Sequence, residues 1–301
     1  MLVNQYQKEK DLSIFLNGAA QKLFEPGSVL KPITMAAGLE MGVITPETTY
    51  TDPGSIKVGS YVIYNYHQQK YGEKTMTEVL ENSDNVAMVW LSQQIGEESF
   101  YEYLKNFGFG AKTGIDLETE SEGKLLELKQ WRPIHLATIS FGQGIAVTPI
   151  QIISSYIAIA NKGEFLQPYI VDKIVEPSGK VIQREPKKIR RIIKEETAKT
   201  ITEMMVSVVK KGHGKKAGVE GYQIAGKTGT AQIPDPEKAG YLEGINIGSF
   251  AGFAPANDPK FVMLVKIDKP KNMEWAEASA APVFGEIAEW LLNYFEIPKQ
   301  S

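Results

Sequence analysis

The chain has 301 residues, 43% of them hydrophobic, and a formal net charge of −3 at pH 7. This composition is typical of a globular protein with a packed core, and the weak negative charge argues against a nucleic-acid partner. Cysteine is absent, and the three histidines lie far apart without carboxylates at metal-ligand spacing, so we predict neither a metal nor a cofactor. No apolar stretch is long enough to cross a bilayer.

The first predicted element that suggests chemistry is a turn over Glu25–Pro32, which leads into a helix over Ile33–Leu39. Proline is tolerated in the first turn of a helix, so Pro32 marks the helix start. Ser28 and Lys31 are three residues apart, and at that spacing in a helical turn both side chains lie on one face. We therefore predict that the serine hydroxyl, a possible nucleophile, comes within hydrogen-bonding reach of the lysine amine, a possible base.

Lysine acts as a base only where its surroundings suppress its charge. A lysine with the usual pKa near 10.4 is half neutral at pH 7 only if its charged form is disfavoured by about 4–5 kcal/mol. Burial and a second nearby cation both lower the pKa in this way. An active Lys31 therefore requires an enclosed site with another positive charge. Without these, the pair is an ordinary exposed helix start.

Residues 41–74 contain turn residues and short β-like runs, which predict irregular structure with a small hairpin. Thr75–Glu78 then has the capping-box sequence of a helix start. The helical pattern is interrupted at Asn82–Asn85, four polar residues of low helix propensity, and resumes over Val86–Ile95. A polar break inside an otherwise apolar pattern requires a specific reason.

Further amphipathic patterns predict helices over Glu97–Phe107, from Pro149 after the N-cap residue Thr148, and over Glu195–Lys211. A terminal helix is predicted after Pro282. Its expected apolar face consists of Phe284, Ile287, Leu291, Leu292 and Phe295.

The last third of the chain is mainly β, with strands predicted over Gln223–Gln232, Asn246–Phe253 and Phe261–Ile267. Short connections imply antiparallel neighbours. We expect the terminal helix to pack on the sheet that these strands form.

The run Gly221–Thr228 matches the phosphate-loop pattern G-x-x-x-x-G-K-T letter for letter, so an NTPase is an alternative. A phosphate loop requires a helix directly after its Lys-Thr pair, which aims backbone N–H groups at the phosphate. Gly229–Pro234 is a poor helix start, so the context disfavours this interpretation.

The competing interpretation places Lys227–Thr230 on a strand. Lys227 then supplies the second cation that a neutral Lys31 requires. The hydroxyl groups of the two threonines can bind a substrate carboxylate, and Gly229 lets a substrate backbone approach. Taken alone, an ordinary glycine-bearing edge strand is an equally good interpretation.

Three motifs, Ser28-x-x-Lys31, Ser83-Asp84-Asn85 and Lys227-Thr228-Gly229, stand in the order and general spacing of the penicillin-recognising serine enzymes. The likeness covers nearly the whole chain, through Glu25-Pro26-Gly27-Ser28, Phe107-Gly108-Phe109-Gly110, Thr113-Gly114-Ile115-Asp116-Leu117, Gly142-Gln143-Gly144, Thr148-Pro149, Ala225 to Gln232, and Ala281-Pro282-Val283-Phe284. The chain resembles the transpeptidase domain of a class B, monofunctional penicillin-binding protein, closest to the cell-division type.

This resemblance implies roles for the first two motifs. Ser28 would be the acylated nucleophile and Lys31 its base. Ser83 would relay a proton toward the leaving group, and Asn85 would bind the substrate peptide and Lys31. Asp84 occupies the variable middle position of its motif and is assigned no chemistry.

The third motif would complete the site. By the same resemblance, Lys227 would tune the site electrostatically, and Thr228 and Thr230 would contact the terminal carboxylate of a D-alanyl-D-alanine stem peptide. The backbone N–H groups of Ser28 and Thr230 would form the oxyanion hole, a pair of donors aimed at the tetrahedral intermediate.

The implied fold is α/β of the α+β type, like that of the penicillin-binding proteins and serine β-lactamases. It has an antiparallel sheet of about five strands packed between helices, and an inserted, mainly helical part. We expect one catalytic domain over residues 1–301, with the sheet-containing part at about 1–40 and 165–301 and the helical part at about 41–164. The membrane anchor and pedestal region usual for class B proteins are absent, so we expect an excised or truncated domain.

The implied function is that of a D,D-transpeptidase that cross-links peptidoglycan stem peptides through an acyl-enzyme on Ser28 and is inhibited covalently by β-lactams. It would act at the extracytoplasmic face of the bacterial membrane, with a glycosyltransferase and divisome proteins as partners of the full-length protein.

Three alternatives stay open: a serine β-lactamase, a D,D-carboxypeptidase, and a non-catalytic β-lactam sensor or binding module. Glu118, Glu120 and Glu122 lie roughly where some lactamases keep the carboxylate that activates water. His213 stands where the family pattern has threonine. We expect it to be a loop histidine without function, which at most lies at the rim of the cleft.

Overall fold

The computed structural model describes residues 12–234, 240–271 and 275–299. Its helices are α1 (Lys31–Glu40), α2 (Met76–Glu81), α3 (Asn85–Ile95), α4 (Glu97–Asn106), α5 (Pro133–Ile139), α6 (Pro149–Ala160), α7 (Glu195–Lys210) and α8 (Ala280–Tyr294). Its strands are β1 (Thr49–Asp52), β2 (Ser55–Val58), β3 (Tyr61–Tyr64), β4 (Gly72–Thr75), β5 (Glu164–Gln167), β6 (Lys173–Val175), β7 (Val181–Gln183), β8 (Lys187–Arg191), β9 (Ala225–Pro234), β10 (Tyr241–Ala254) and β11 (Phe261–Asp268).

The main sheet is antiparallel, with the order β11-β10-β9. In its register Phe250 of β10 lies opposite Thr228 on one side and Val265 on the other. The antiparallel arrangement predicted from the sequence is confirmed. The described residues contribute three strands to the sheet, where about five were expected. Residues 1–11, which belong to the predicted sheet-containing part, lie outside the described residues.

The two faces of the sheet bury different helices, because successive side chains of a strand point to opposite faces. Ala251 and Phe253 of β10 belong to the larger apolar core, which also contains buried residues of α1, α3, α6 and α7. Phe250 and Ala254 point the other way, into a smaller core with α8. The sheet is therefore packed between helices, as expected.

Most predicted helices are present within one or two residues of their expected bounds. Thr75 and Thr148 cap α2 and α6 through complete capping boxes, and Pro32 lies in the first turn of α1. The predicted hairpin before α2 is formed by β2 and β3. These features depend on neighbouring residues in the sequence, which is why local patterns predicted them.

The apolar face of α8 differs from the predicted one. The helix buries Phe284 and Leu292, but Ile287 and Phe295 are exposed. The other residues of the buried stripe are small, namely Ala280, Ala281, Gly285 and Ala288. A Cβ on Gly285 would lie 2.9 Å from the carbonyl oxygen of Lys216, so small residues are what let this face approach its neighbour. Because α8 is apolar on more than one side, size rather than hydrophobicity selected the buried face.

Candidate active site

A cleft of about 780 Å³ lies beside the edge of the sheet. It is lined by parts of the chain that are far apart in sequence: the Ser28 turn, the segment from β3 to Tyr71, the α2–α3 connection with the start of α3, the end of α5 with the turn after it, β9, and the loops after α7 and β11. Of the predicted site residues, those that line it are Ser28, Ser83, Asn85, Thr228 and Thr230. Lys31 and Lys227 are fully buried. The structure thus brings the three motifs to one place.

Ser28 lies in a 3-10 turn over Gly27–Leu30 that runs directly into α1, and its carbonyl accepts from the N–H of Lys31. The turn is fixed from two sides. The N–H of Gly27 donates to the carbonyl of Gly142 at 2.9 Å, and a Cβ on Gly142 would stand only 2.0 Å from the carbonyl oxygen of Gly27. This close approach explains Gly142 of the Gly142-Gln143-Gly144 motif, since only glycine leaves room for the turn.

The other side of the turn packs against β9. A Cβ on Gly229 would lie 2.9 Å from Cγ1 of Val29 and 2.7 Å from Oγ of Ser249. Gly229 therefore lets the Ser28 turn lie on the lysine-bearing strand. This packing is a reason for the glycine that the sequence analysis did not foresee, and the approach of a substrate backbone to Gly229 stays a prediction.

The polar break between α2 and α3 is a Schellman motif, the usual six-residue end of a helix. The N–H of Ser83 donates to the carbonyl of Leu80, and the N–H of Asp84 donates to the carbonyl of Val79. Ser83 itself has a φ of 55°, the left-handed conformation in which glycine is usual. A serine in this position is strained, and its hydroxyl group supplies the reason for its presence.

The Ser83 hydroxyl lies between two buried lysines. Lys31 Nζ is 3.1 Å from Ser83 Oγ, and Lys227 Nζ is 3.0 Å from the same oxygen. Lys31 Nζ also donates to the carbonyl oxygen of Ser83 and to Oδ1 of Asn85, at 2.7 Å for the latter. The predicted second cation is present, and a single hydroxyl joins it to the first.

The predicted hydrogen bond between the Ser28 hydroxyl and Lys31 is not formed. Among the described residues, the structure records no hydrogen bond of the Ser28 hydroxyl. Lys31 Nζ is instead hydrogen-bonded to two oxygens of Ser83 and to Oδ1 of Asn85, at the start of α3. Ser28, at the start of the same helical turn, faces the open cleft instead.

The surroundings of both lysines suppress their charge. Burial, and then the nearby Lys227, hold the pKa of Lys31 well below its usual value, while the carboxylate of Asp84 opposes the shift. Burial also lowers the pKa of Lys227, to about 7. Because two adjacent buried cations would repel each other, a proton on one lysine disfavours a proton on the other.

The contacts of Lys31 suit either protonation state. The carbonyl of Ser83 and Oδ1 of Asn85 can only accept, so they take two N–H groups. The third partner, Ser83 Oγ, accepts a third N–H from a charged amine or donates its own hydrogen to the lone pair of a neutral one. Lys31 and Ser83 can therefore exchange a proton without a change of partners.

Asp84, to which the sequence analysis assigned no chemistry, is fully buried and caps α3. Its Oδ1 accepts from the N–H of Ala87 at 2.8 Å, while its Oδ2 has no hydrogen-bond partner in the part of the chain that the structure describes. Burial raises the pKa of Asp84 to about 6. Its observed contact is structural, and its charge acts on Lys31 only through space.

The structure places Lys227 on β9 and not at the start of a helix, so the phosphate-loop interpretation is wrong. Thr228 Oγ1 lies 3.3 Å from Lys227 Nζ, and Thr230 Oγ1 accepts from the N–H of Ala276 at 3.2 Å. Thr230 also adjoins the Ser28 turn, because a Cβ on Gly27 would be 3.2 Å from the carbonyl oxygen of Thr230. Their roles toward substrate and as an oxyanion hole stay predictions.

The mouth of the cleft has an aromatic and charged rim, of which sequence reasoning noted only His213. The rings of Tyr66 and Trp275 pack edge to face, with their centroids 3.9 Å apart. This contact joins the loop after β3 to the loop after β11. His213 does rim the cleft, with Nδ1 3.2 Å from Oε2 of Glu277. No local signal marks Tyr66, Trp275 and Glu277, because they come from two loops far apart in sequence.

Carboxylates are scarce in the cleft. Of the described residues that line it, Glu277 is the only acidic one, and Glu118, Glu120 and Glu122 lie elsewhere. Within residues 12–234, 240–271 and 275–299 there is no group of three or more histidine and acidic side chains that could hold a metal ion. In the same ranges, no helix combines the length and apolar character needed to span a membrane.

Comparison with known proteins agrees with the geometry. The family model described as the penicillin binding protein transpeptidase domain matches residues 2–289. The penicillin-binding protein PbpB of Mycolicibacterium smegmatis is 38% identical over 291 residues, which are 94% of this chain and 45% of that protein. The probable peptidoglycan D,D-transpeptidase PenA of Neisseria flavescens is 32% identical, over 92% of this chain and 66% of that protein.

Solved structures give the same result. The crystal structure of penicillin-binding protein 3 from Mycobacterium tuberculosis complexed with ampicillin has a TM-score of 0.89 and 36% sequence identity to this chain. The alignment covers 94% of this chain and 65% of that one. The chain spans about half the length of the curated relatives it matches.

Proposed function

Because the chain belongs to the family of penicillin-binding protein transpeptidase domains, we propose that it is a serine-type D,D-transpeptidase that cross-links peptidoglycan stem peptides. The observation that carries this proposal is the Ser83 hydroxyl held between two fully buried lysines, beside a cleft lined by Ser28. Acyl transfer needs a base that is neutral at pH 7 and a route for the proton to the leaving group. These contacts support both roles, with Lys31 as the base and Ser83 on the route of the proton.

In the first step Ser28 attacks the carbonyl carbon of the penultimate D-alanine. Its hydroxyl proton passes to neutral Lys31 as the Oγ–C bond forms, and the carbonyl oxygen becomes an oxyanion. The backbone N–H groups of Ser28 and Thr230 are the proposed donors to this oxyanion. When a substrate reaches Ser28, its hydroxyl, which has no protein partner in the described residues, turns toward Lys31. The Ser83 hydroxyl then turns its hydrogen away, so that the lone pair of the amine can take the proton.

The collapse of the tetrahedral intermediate breaks the C–N bond to the terminal D-alanine. The departing amine requires a proton, which the Ser83 hydroxyl donates while it recovers one from the protonated Lys31. This leaves Lys31 neutral and Ser28 acylated. Lys227 stays hydrogen-bonded to Ser83 throughout, and its positive charge opposes protonation of Lys31 in the resting enzyme.

In the second step an amine from a neighbouring stem peptide attacks the acyl-enzyme. The proton it loses returns along the same route, and Ser28 leaves with its hydroxyl restored, so the peptide bond formed balances the one broken. Thr228 and Thr230 are the proposed contacts of the substrate's terminal carboxylate, while Asn85 binds the substrate peptide. β-Lactams would acylate Ser28 in the same way, as expected for a relative of a protein solved with ampicillin.

A serine β-lactamase would require a carboxylate placed to activate water against the acyl-enzyme. The only acidic side chain among the described residues that line the cleft is Glu277, which is bonded to His213. This supports a long-lived acyl-enzyme. Nitrocefin should give a stoichiometric burst; sustained turnover would instead identify a lactamase, and release of D-alanine without a dimeric product would identify a carboxypeptidase.

We also propose the setting of the reaction. Family membership supports a cell-wall enzyme that acts outside the cytoplasm. The finer assignment, to the extracytoplasmic face of the cytoplasmic membrane with a glycosyltransferase and divisome partners, concerns the longer protein. Co-purification of such a full-length protein with a cell-wall glycosyltransferase tests it.

The decisive experiment is labelling with a fluorescent penicillin. The wild-type chain should become covalently labelled, and Ser28→Ala should not. Ser155→Ala is the matched control, because Ser155 is fully buried and its hydroxyl donates only to the carbonyl of Ile152 within α6. Equal labelling of Ser28→Ala and wild type would contradict the assignment of the nucleophile.

A further inference from the structure

The start of α3 is capped by two side chains of different origin. Asp84, directly before the helix, accepts from the N–H of Ala87. Asn65, which lies after β3, accepts through Oδ1 from the N–H of Asn85 at 2.8 Å and from that of Val86 at 3.1 Å. The first three N–H groups of a helix have no partner within it, so all three are satisfied here by side chains.

Asp52 fixes the orientation of the Asn65 amide. Nδ2 of Asn65 donates to Oδ2 of Asp52 at 2.8 Å and to the carbonyl of Gln69 at 3.1 Å. Asp52 also accepts from the N–H groups of Gly54 and Tyr71, both at 2.8 Å. Since these carboxylate and carbonyl oxygens only accept and the α3 N–H groups only donate, just one orientation of the amide satisfies every partner.

This chain of hydrogen bonds ends at the catalytic base. The backbone of Asn85 is held by Asn65, and its Oδ1 accepts from Lys31 Nζ at 2.7 Å. Asp52 is fully buried and Asn65 is 4% exposed, so water competes little for these bonds. The series Asp52, Asn65, Asn85 and Lys31 therefore links the loop beneath the cleft to the base by direct contacts.

We propose that Asn65, oriented by Asp52, is a positioning residue for the acyl-transfer site, and that it acts by placing Asn85 against Lys31. An amide is the group that this position requires. It donates to Asp52 and accepts from α3 at the same time, which neither a carboxylate nor an apolar side chain can do. It also adds no charge beside the buried carboxylates of Asp52 and Asp84. The proposal rests on the proposed function, because acylation is the reaction that Lys31 serves.

A cap that served only stability would affect unfolding and leave the chemistry of the folded enzyme unchanged. A positioning residue must also lower the acylation rate of each folded molecule, and only through Asn85. Displacing a catalytic group by a fraction of an ångström to one ångström is enough to slow a reaction by about 10- to 100-fold. The two roles are therefore separable by a double-mutant cycle.

The cycle compares wild type, Asn65→Ala, Asn85→Ala and the double variant by the second-order rate of fluorescent-penicillin labelling per folded molecule. We expect Asn65→Ala to reduce the rate by about 10- to 100-fold. In the Asn85→Ala background, the same change should reduce the rate no further, because the hydrogen bond between the Asn85 side chain and Lys31 is already absent. The melting temperature should fall on loss of Asn65 in both backgrounds.

Gln151→Ala is the matched control. Gln151 is also a fully buried amide that joins separate segments, with Nε2 donating to the carbonyls of Ala111 and Glu122, and it contacts none of the proposed catalytic residues. It should lower the melting temperature and leave the labelling rate of folded molecules unchanged. If Asn65→Ala does not fold, Asp52→Ala replaces it in the cycle, because it removes both acceptor oxygens and with them the group that orients the amide.

Two results would overturn the inference: a wild-type labelling rate per folded molecule in Asn65→Ala or its replacement, or losses that multiply in the double variant. Failure of the wild-type chain itself to label would instead overturn the proposed function, so the two failures are distinguishable.

Discussion

The starts of α3 and α6 meet the same need by different means. At α6, Thr148 accepts from the N–H of Gln151 at 3.3 Å, and the Gln151 side chain accepts from the N–H of Thr148 at 2.9 Å. That capping box uses residues within four positions of each other. At α3, Asp84 supplies one local contact, and the remaining N–H groups bind Asn65, which lies 20 residues away in sequence.

The difference reflects what each helix does. The cap of α6 stabilises a helix that packs in the core, and it can be formed as soon as the helix forms. The cap of α3 ties the helix to a loop, and the first residue of that helix accepts a hydrogen bond from Lys31, the proposed catalytic base. A local cap therefore provides stability, whereas a distant one also fixes position.

The largest effect is expected at Lys31, the proposed base, which contacts the first residue of α3. Lys31→Met keeps a side chain of similar length and removes the base, so the rate of penicillin labelling should fall by about 10²–10⁴-fold. Circular dichroism should show a folded protein, because the substitution places an apolar group where a buried amine was. Labelling within twofold of wild type would show that Lys31 is not the base.

Lys227 should make stability depend on pH. Its pKa is about 7 when folded and near 10.4 when unfolded, so between these values the unfolded chain binds more protons. The free energy of unfolding of wild type should therefore rise with pH across this window, relative to Lys227→Met, by up to about 4 kcal/mol. Denaturant titrations at pH 6, 8 and 10 measure it.

Lys199→Met is the control for that experiment, since the Lys199 side chain is 77% exposed. Its difference in unfolding free energy from wild type should stay constant with pH. A constant difference for Lys227→Met as well would contradict the account of a buried lysine whose charge is suppressed.

The strained serine at the α2–α3 connection gives a smaller effect. Ser83→Gly and Ser83→Ala both remove the hydroxyl group, so both should lose rapid acylation. Glycine adopts a φ of 55° without strain, however, and alanine does not. The glycine variant should be more stable than the alanine variant by about 1 kcal/mol. Equal melting temperatures would indicate that the connection has changed its conformation.

The smallest effect on function is expected at the local cap of α6. Thr148→Ala should lower the free energy of unfolding by about 1 kcal/mol and leave the penicillin-labelling rate of folded molecules unchanged. A loss of labelling comparable to that of Asn65→Ala would remove the distinction between a local and a distant cap.

Much of this molecule could be predicted from residues close together in sequence. Thr75, Thr148 and Pro32 mark helix starts because capping and first-turn preferences act over three or four residues. The short turns of the last third imply antiparallel strands for the same reason. The requirement for a buried lysine with a second cation followed from the pKa of a single side chain, and the structure meets it at Lys31 and Lys227.

Contacts between distant residues could not be predicted in the same way. The sequence pointed to a bond between Ser28 and Lys31, but the acceptors of Lys31 are 52 and 54 residues further along the chain. The buried face of α8 was set by small residues that fit their neighbour, since its hydrophobic pattern alone allowed more than one face.

The sequence by itself determined the elements, the three motifs and the family resemblance, because these depend on residue type and on local spacing. Only the tertiary structure decided that one strained serine bridges two buried lysines and that Asn65 caps the helix beside them. The physical reason is that hydrogen bonds and burial depend on where distant segments meet in space, and no local pattern encodes that meeting.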